Sequence, residues 1–168
     1  MRKLIIFFAI ASALCACSSI DCPLNNKVYA QYKFAGDGMS DGTIITVTTS
    51  LSQAEGDDSV LINKMEYADS ISLPMSYART EDVFYFKFEK SNGSTITDTV
   101  KVAKKNIPHF ESVDCNPAFF HTITGVEHTR HAFESIIINN NTVTYNVAEA
   151  HFIIYLKDSD SSDISDVR

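Results

Sequence analysis

Tryptophan is absent from this chain and cysteine is scarce: its 168 residues include no Trp and four Cys. Without Trp, a carbohydrate-stacking surface would have to come from tyrosines such as Tyr29, Tyr67, Tyr77 and Tyr85. Four cysteines are too few for a disulfide-framework mini-protein, though enough for one bridge. Basic residues are also outnumbered, 14 Lys and Arg against 21 Asp and Glu for a formal net charge of −7. That balance argues against a nucleic-acid binder working through phosphate contacts. The apolar run Leu4 to Leu14 has about eleven residues, short of the roughly 20 that a membrane-spanning helix needs. Long segments of helical period are missing, as are a nucleophile elbow, phosphate loop, dinucleotide fingerprint, HExxH and CxxC. With 45% hydrophobic and 21% charged residues, the chain is nevertheless too apolar for disorder. Its length suits one domain with tails.

The N-terminus carries the strongest signal. Arg2 and Lys3 precede the apolar run, the order of an export signal. The run ends in Leu14-Cys15-Ala16-Cys17, which resembles a bacterial lipobox: an aliphatic residue, a small one directly before the cut, then the acceptor cysteine. The acyl group is attached there as a thioether, so a thiol is required. Cys15 would place Leu14 where a small residue is needed, which leaves Cys17. A plain secretory signal, with Cys17 an ordinary thiol, is the alternative. The resemblance implies that residues 1–16 are a cleaved lipoprotein signal peptide and 17–21 a lipid-anchored tether. Several acyl chains on one cysteine anchor stably, at about 0.8 kcal/mol per buried CH₂. Ser18 resembles the residue found in lipoproteins sorted to the outer membrane. Ser18, Ser19 and Ile20 also stand where many surface-exported lipoproteins carry an acidic run. The expected location is the outer membrane, lipid-anchored and facing the periplasm, with the cell surface as the alternative.

Processing at Cys17 would discard Cys15 and consume Cys17, leaving Cys22 and Cys115. In an oxidising compartment these most simply pair. The closed loop of about 90 residues is worth roughly 4 to 5 kcal/mol in the chain-entropy model. A free buried thiol and a reactive one are the alternatives. Cys22-Pro23 and Cys115-Asn116-Pro117 place both cysteines at strand ends or turns.

The body of the chain reads as strands. Val28, Ala30, Tyr32 and Phe34 share one face of a first strand, and Thr43 to Thr49 is almost wholly β-branched. Short runs follow at Val60 to Ile62 and Ile71 to Leu73. Val83 to Lys90 is the clearest strand, with Phe84, Phe86 and Phe88 on one side as expected core. Asn92-Gly93 predicts a tight hairpin into Thr95 to Val102, where Ile96, Val100 and Val102 share a face with Asp98. Phe119 to Thr124, Ser135 to Ile138, Thr142 to Tyr145 and Phe152 to Leu156 continue the pattern, with a turn at Asn139-Asn140-Asn141. His128 to Glu134 is the one segment that suits a helical turn. Many short strands punctuated by turns predict an all-β fold, an antiparallel β-sandwich of immunoglobulin-like type over 22–157. A small closed barrel is the alternative. Residues 158–168 read as an acidic, disordered tail. Asp158, Asp160 and Asp163 lack the glycine and closing glutamate of a calcium loop.

Chemistry is thinly signalled. His121, His128 and His131 are close enough in sequence to be candidate metal ligands. In a strand, however, His128 and His131 would point to opposite sides. The competing reading is a satisfied ring at His121 and a polar loop around the other two. His109 and His151 have no partner suggested by spacing. Acidic residues are plentiful, and nothing ranks one carboxylate pair above another for glycoside cleavage.

Several segments together resemble an uncharacterised lipoprotein family of Bacteroidota-type bacteria, a domain of unknown function. They are the lipobox, Asp21-Cys22-Pro23-Leu24-Asn25-Asn26, Ser72 to Tyr77, Ile107 to Cys115, and Phe120-His121-Thr122. The resemblance carries no activity and implies no catalytic residue. It supports the two-cysteine β-domain, with Pro108-His109-Phe110 and Phe120-His121-Thr122 as core packing around the bridge. The expected protein is a membrane-anchored envelope lipoprotein with a binding or structural role and no cofactor. Its partners are the membrane, through the acyl anchor, and an envelope protein, but no nucleic acid. The alternative is a periplasmic hydrolase or metal-binding protein using the three histidines.

Overall fold

A computed structural model of the chain describes Cys22 and residues 27–36, 43–50 and 58–157. The expected signal segment 1–16, the tether 17–21 with Cys17, and the tail 158–168 lie outside the described residues. Ten strands follow in order: β1 (Tyr29–Phe34), β2 (Ile44–Ser50), β3 (Asp58–Glu66), β4 (Ser70–Pro74), β5 (Glu81–Glu89), β6 (Thr95–His109), β7 (Ala118–His128), β8 (Phe133–Ile138), β9 (Thr142–Val143) and β10 (Phe152–Leu156). They form two sheets, one ordered β4-β1-β10-β8 and the other β3-β2-β5-β6-β7-β9. The all-β, antiparallel-rich sandwich predicted by the alternating pattern is the fold. Its single parallel pair among the described strands sets β1 beside β10, so the two ends of the domain lock together, with Tyr32 opposite Phe152.

The core follows from period two. Ala30, Tyr32 and Phe34 of β1, Ile45 and Val47 of β2, and Phe84, Phe86 and Phe88 of β5 all turn inward and are buried. Tyr32 sits at the centre, stacked on Phe152 with ring centroids 4.5 Å apart and edge-on to Phe84 and Phe86. Phe133 of β8 meets Phe86 and Phe88 edge-on, tying the smaller sheet to the larger.

Turn chemistry fixes the register. Between β5 and β6, Lys90 N–H donates to the Ser94 carbonyl at 2.9 Å, and Gly93 takes φ +82°, a left-handed geometry that favours glycine. Asn92 Oδ1 accepts from the Ser94 N–H at 2.9 Å and closes the turn. The Asn139-Asn140-Asn141 turn also forms, and it carries the chain from β8 in one sheet to β9 in the other.

Strands β6 and β7 run past the segments expected from sequence, Thr95 to Val102 and Phe119 to Thr124, to His109 and to His128. A bulge interrupts them: Ala103 faces Gly125 while Lys104 faces Ile123, so Thr124 is extra. One extra residue reverses which parity points inward. His121 and Ile123 therefore face the interior before the bulge, and Val126 and His128 after it.

The predicted helical turn at His128–Glu134 does not form. Asp98, fully buried on the inner face of β6, explains why. Its carboxylate accepts from the backbone N–H groups of His131 (2.8 Å), Ala132 (2.6 Å) and Phe133 (2.9 Å), and from the Thr129 hydroxyl (2.5 Å). The segment thus spends its N–H groups on a carboxylate rather than on helical carbonyls, and bends straight into β8. Burial pushes the Asp98 carboxyl up, but these hydrogen bonds outweigh it and hold the group below its ordinary value.

Candidate functional site

One end of the sandwich is organised by the long β6–β7 arm. Its inner face there is polar: Lys104 and Asn106 project from β6 and His121 from β7 toward residues 75–80, the connection between β4 and β5. Lys104 Nζ, buried, lies 2.9 Å from Asp82 Oδ2 and donates to the Arg79 carbonyl at 2.8 Å. Asp82 Oδ2 also accepts the Ser76 N–H at 3.1 Å. Asn106 Nδ2 donates to the carbonyls of Tyr77 and Arg79, at 2.9 and 3.0 Å. Its amide oxygen must then accept, so His121 Nδ1, 2.8 Å away, carries the proton. Burial first, and the Lys104 ammonium second, push the His121 imidazole down to about 4, so it is neutral at neutral pH. Every member of this cluster holds the backbone of the 75–80 connection or a neighbour that does.

The outer surface of the same end is aromatic. His109 stacks on Phe120 at 4.2 Å, and Tyr145 meets Phe120 edge-on at 5.1 Å. On the inner face, beyond His121, Tyr77 stacks on Phe119 at 5.4 Å and is largely exposed. Beyond them the β6–β7 turn carries Phe110, 63% exposed, and Val113, 98% exposed. The expectation that Pro108-His109-Phe110 would pack in the core is therefore corrected. Phe110 stands in the turn beyond His109, the last residue of β6, and is exposed there. Of the two motifs, only His121 in Phe120-His121-Thr122 is buried.

Cys22 and Cys115 are bridged beside this turn, with Cα atoms 5.5 Å apart. The link pins the start of the domain to a point 93 residues further along the chain. Breaking it by Cys22→Ser/Cys115→Ser is expected to destabilise the domain by about 2 to 4 kcal/mol. Urea unfolding of oxidised wild type against the double variant measures this, and equal midpoints would refute it.

The opposite end holds a shallow, open depression lined by Thr95, Ile96, Thr97, Arg130, His131 and Lys157. Lys157 Nζ donates to the Arg130 carbonyl at 2.7 Å, which ties the end of β10 to the turn that Asp98 holds. Three nitrogen-bearing side chains gather here on a protein that is acidic as a whole.

The three candidate metal histidines do not converge. His121 is bound to Asn106 at one end of β7. His128 ends the same strand, its Nδ1 2.9 Å from the Thr129 carbonyl and its ring edge-on to Phe133. His131 is largely exposed, with Nδ1 3.0 Å from Asp98 Oδ1. Seven residues of strand separate His121 from His128, roughly 23 Å. Among the described residues no group of three or more His, Cys, Asp or Glu is placed to hold a metal ion. His151 has the partner that spacing could not suggest: its Nδ1 accepts the Gln31 N–H at 2.9 Å across the β1–β10 junction. Burial is the main influence lowering its pKa.

Residues 44–156 match a family model described as a family of unknown function, DUF6452. No curated protein and no solved structure matches the chain.

Proposed function

We propose, for a chain that belongs to this family of unknown function (DUF6452), an acyl-anchored envelope lipoprotein with a binding or structural role. The observation that carries the reading is the Cys22–Cys115 bridge, a bond that persists in oxidising compartments outside the cytosol. It stands five residues after the cysteine of a sequence that resembles a lipobox. The location we propose with it is the outer membrane, on its periplasmic face, supported by Ser18 directly after Cys17. A role without catalysis is supported by where the buried polar groups are engaged. Asp98, Asp82, Lys104 and Asn106 each hold the backbone of a loop, and His121 holds Asn106. These are the bonds of a scaffold that keeps its two ends rigid.

Lipidation is tested by growing expressing cells with a labelled fatty acid. The wild-type chain is expected to incorporate the label and Cys17→Ser to lose it, with a changed gel mobility. A wild-type chain that takes up no label would refute the anchor.

A further inference from the structure

We propose that the β6–β7 turn, led by Phe110 and Val113, rests on the zwitterionic phospholipid surface in which the Cys17 acyl chains are embedded. The proposal builds on the acyl-anchor reading and adds to it an orientation and a second point of contact. Two observations converge on it. The first is exposure: Val113 is 98% and Phe110 63% exposed on one eight-residue turn, with Tyr77, Tyr145 and Ile107 exposed beside it. Side chains of this kind, apolar at one end and polar at the other in the tyrosines, suit the boundary between lipid and water. The second is reach. Cys115, two residues from Val113, is bonded to Cys22, and only Ser18 to Asp21 stand between Cys22 and Cys17. Fully extended, that segment spans about 17 Å. The bilayer that holds the anchor is therefore within one tether length of the turn.

Charge sets the kind of surface and the depth. Glu111 stands between the two apolar residues and Asp114 directly after Val113, with His109 Nε2 3.1 Å from Glu111. Carboxylates resist transfer into hydrocarbon, so the contact stays shallow, at the headgroups and the first acyl carbons, and a neutral leaflet receives it better than an anionic one. The orientation follows. The far end of β6 lies roughly 45 Å away along the strand, which turns the depression at Arg130, His131 and Lys157 away from the membrane.

The absence of Trp gives a clean probe. The full chain carrying Val113→Trp, purified from membranes and reconstituted in phosphatidylcholine vesicles, reports from one indole; Phe110→Trp serves as a second reporter. Val60→Trp is the control. Val60 is exposed on the edge strand β3, level with Thr48, Tyr85 and Thr99. The expected result is a blue-shifted emission for both turn variants, quenched when phosphatidylcholine brominated at its upper acyl carbons, next to the headgroup, replaces the ordinary lipid, and a water-like, unquenched emission for Val60→Trp. Acylation is read by mass on the same samples. An acylated protein whose turn variants stay water-like and unquenched would overturn the contact and leave the anchor standing. Quenching of an unacylated chain would support the contact and reject the anchor, whereas an unacylated, unquenched chain would overturn both. A blue shift without bromine quenching would mean that protein, not lipid, covers the turn, and would also overturn the proposal.

Discussion

Asparagine at position 98 is expected to be as damaging as alanine, each lowering stability by about 3 to 5 kcal/mol. Asn and Asp have nearly the same shape, so the expected equality rests on hydrogen-bond chemistry. The buried carboxylate accepts three backbone N–H groups and a hydroxyl, and His131 Nδ1 stands 3.0 Å from it. An amide would keep one acceptor oxygen and turn an NH₂ group toward the N–H groups of Ala132 and Phe133. Two donors would then face two donors in a site without water access. Urea unfolding of Asp98→Asn and Asp98→Ala measures the loss. A variant within 1 kcal/mol of wild type would show that the 129–133 turn forms without its carboxylate. The acid limb supplies an independent readout. Because hydrogen bonding holds the folded Asp98 carboxyl below its unfolded value of 3.8, its contribution is complete above that value. It is lost as pH falls through the lower folded value, since the unfolded chain then binds the proton first. In Asp98→Asn that part of the acid limb should vanish, leaving a flatter dependence of stability on pH below about 4.

Alternation made most of the strands legible, because an inner face of Phe84, Phe86 and Phe88 against an outer Tyr85 and Lys87 leaves little choice of structure or side. The bridge was legible for a different reason: if the sequence that resembles a lipobox is processed as one, only Cys22 and Cys115 are left to pair. What escaped the sequence shares one cause, polar residues whose partners are distant in the chain. Lys104, Lys105 and Asn106 fall outside the Thr95 to Val102 strand expected from sequence, yet Lys104 is buried because Asp82, twenty-two residues earlier, is there to meet it. The neutral His151 needs Gln31, 120 residues away. The segment His128 to Glu134 suited a helical turn by local propensity alone, and Asp98 overrode it. The bulge at Thr124 likewise left no mark on composition, but it decides that His128 turns toward Phe133. The exposed Phe110 was misread for the converse reason. Apolar type predicts burial only where a second layer exists to cover it, and Phe110 stands in the turn beyond the end of β6.

Lys104→Met should be about as costly as losing Asp98, about 3 to 5 kcal/mol, and a second substitution should restore part of the loss. The ammonium is fully buried and bound to Asp82 Oδ2 and the Arg79 carbonyl. Met fills a similar volume but leaves the Asp82 carboxylate with its main counter-charge gone. Arg79 Nε, at 3.9 Å and partly exposed, is too far to replace it. Stability should therefore fall mainly because a buried charge is stranded, not because a bond worth that much is lost. Removing the stranded charge in Asp82→Leu/Lys104→Met should then be less destabilising than Lys104→Met alone. Recovery should be incomplete, since the double variant also takes the Ser76 N–H's acceptor away and leaves the Arg79 carbonyl without one of its two donors. Additive losses in this double-mutant cycle would rule out the coupling. The imidazole of His121 reports on the same charge by NMR titration. Burial is the larger cause of its depression and remains in the variant, while the Lys104 contribution goes. Its pKa should accordingly rise from about 4 and stop short of the ordinary 6.5. A value that does not move would place the ammonium's influence elsewhere. A value that reaches 6.5 would mean that the 75–80 connection has opened and let water reach the ring, so that the pair closes this end of the sandwich as well as neutralising it.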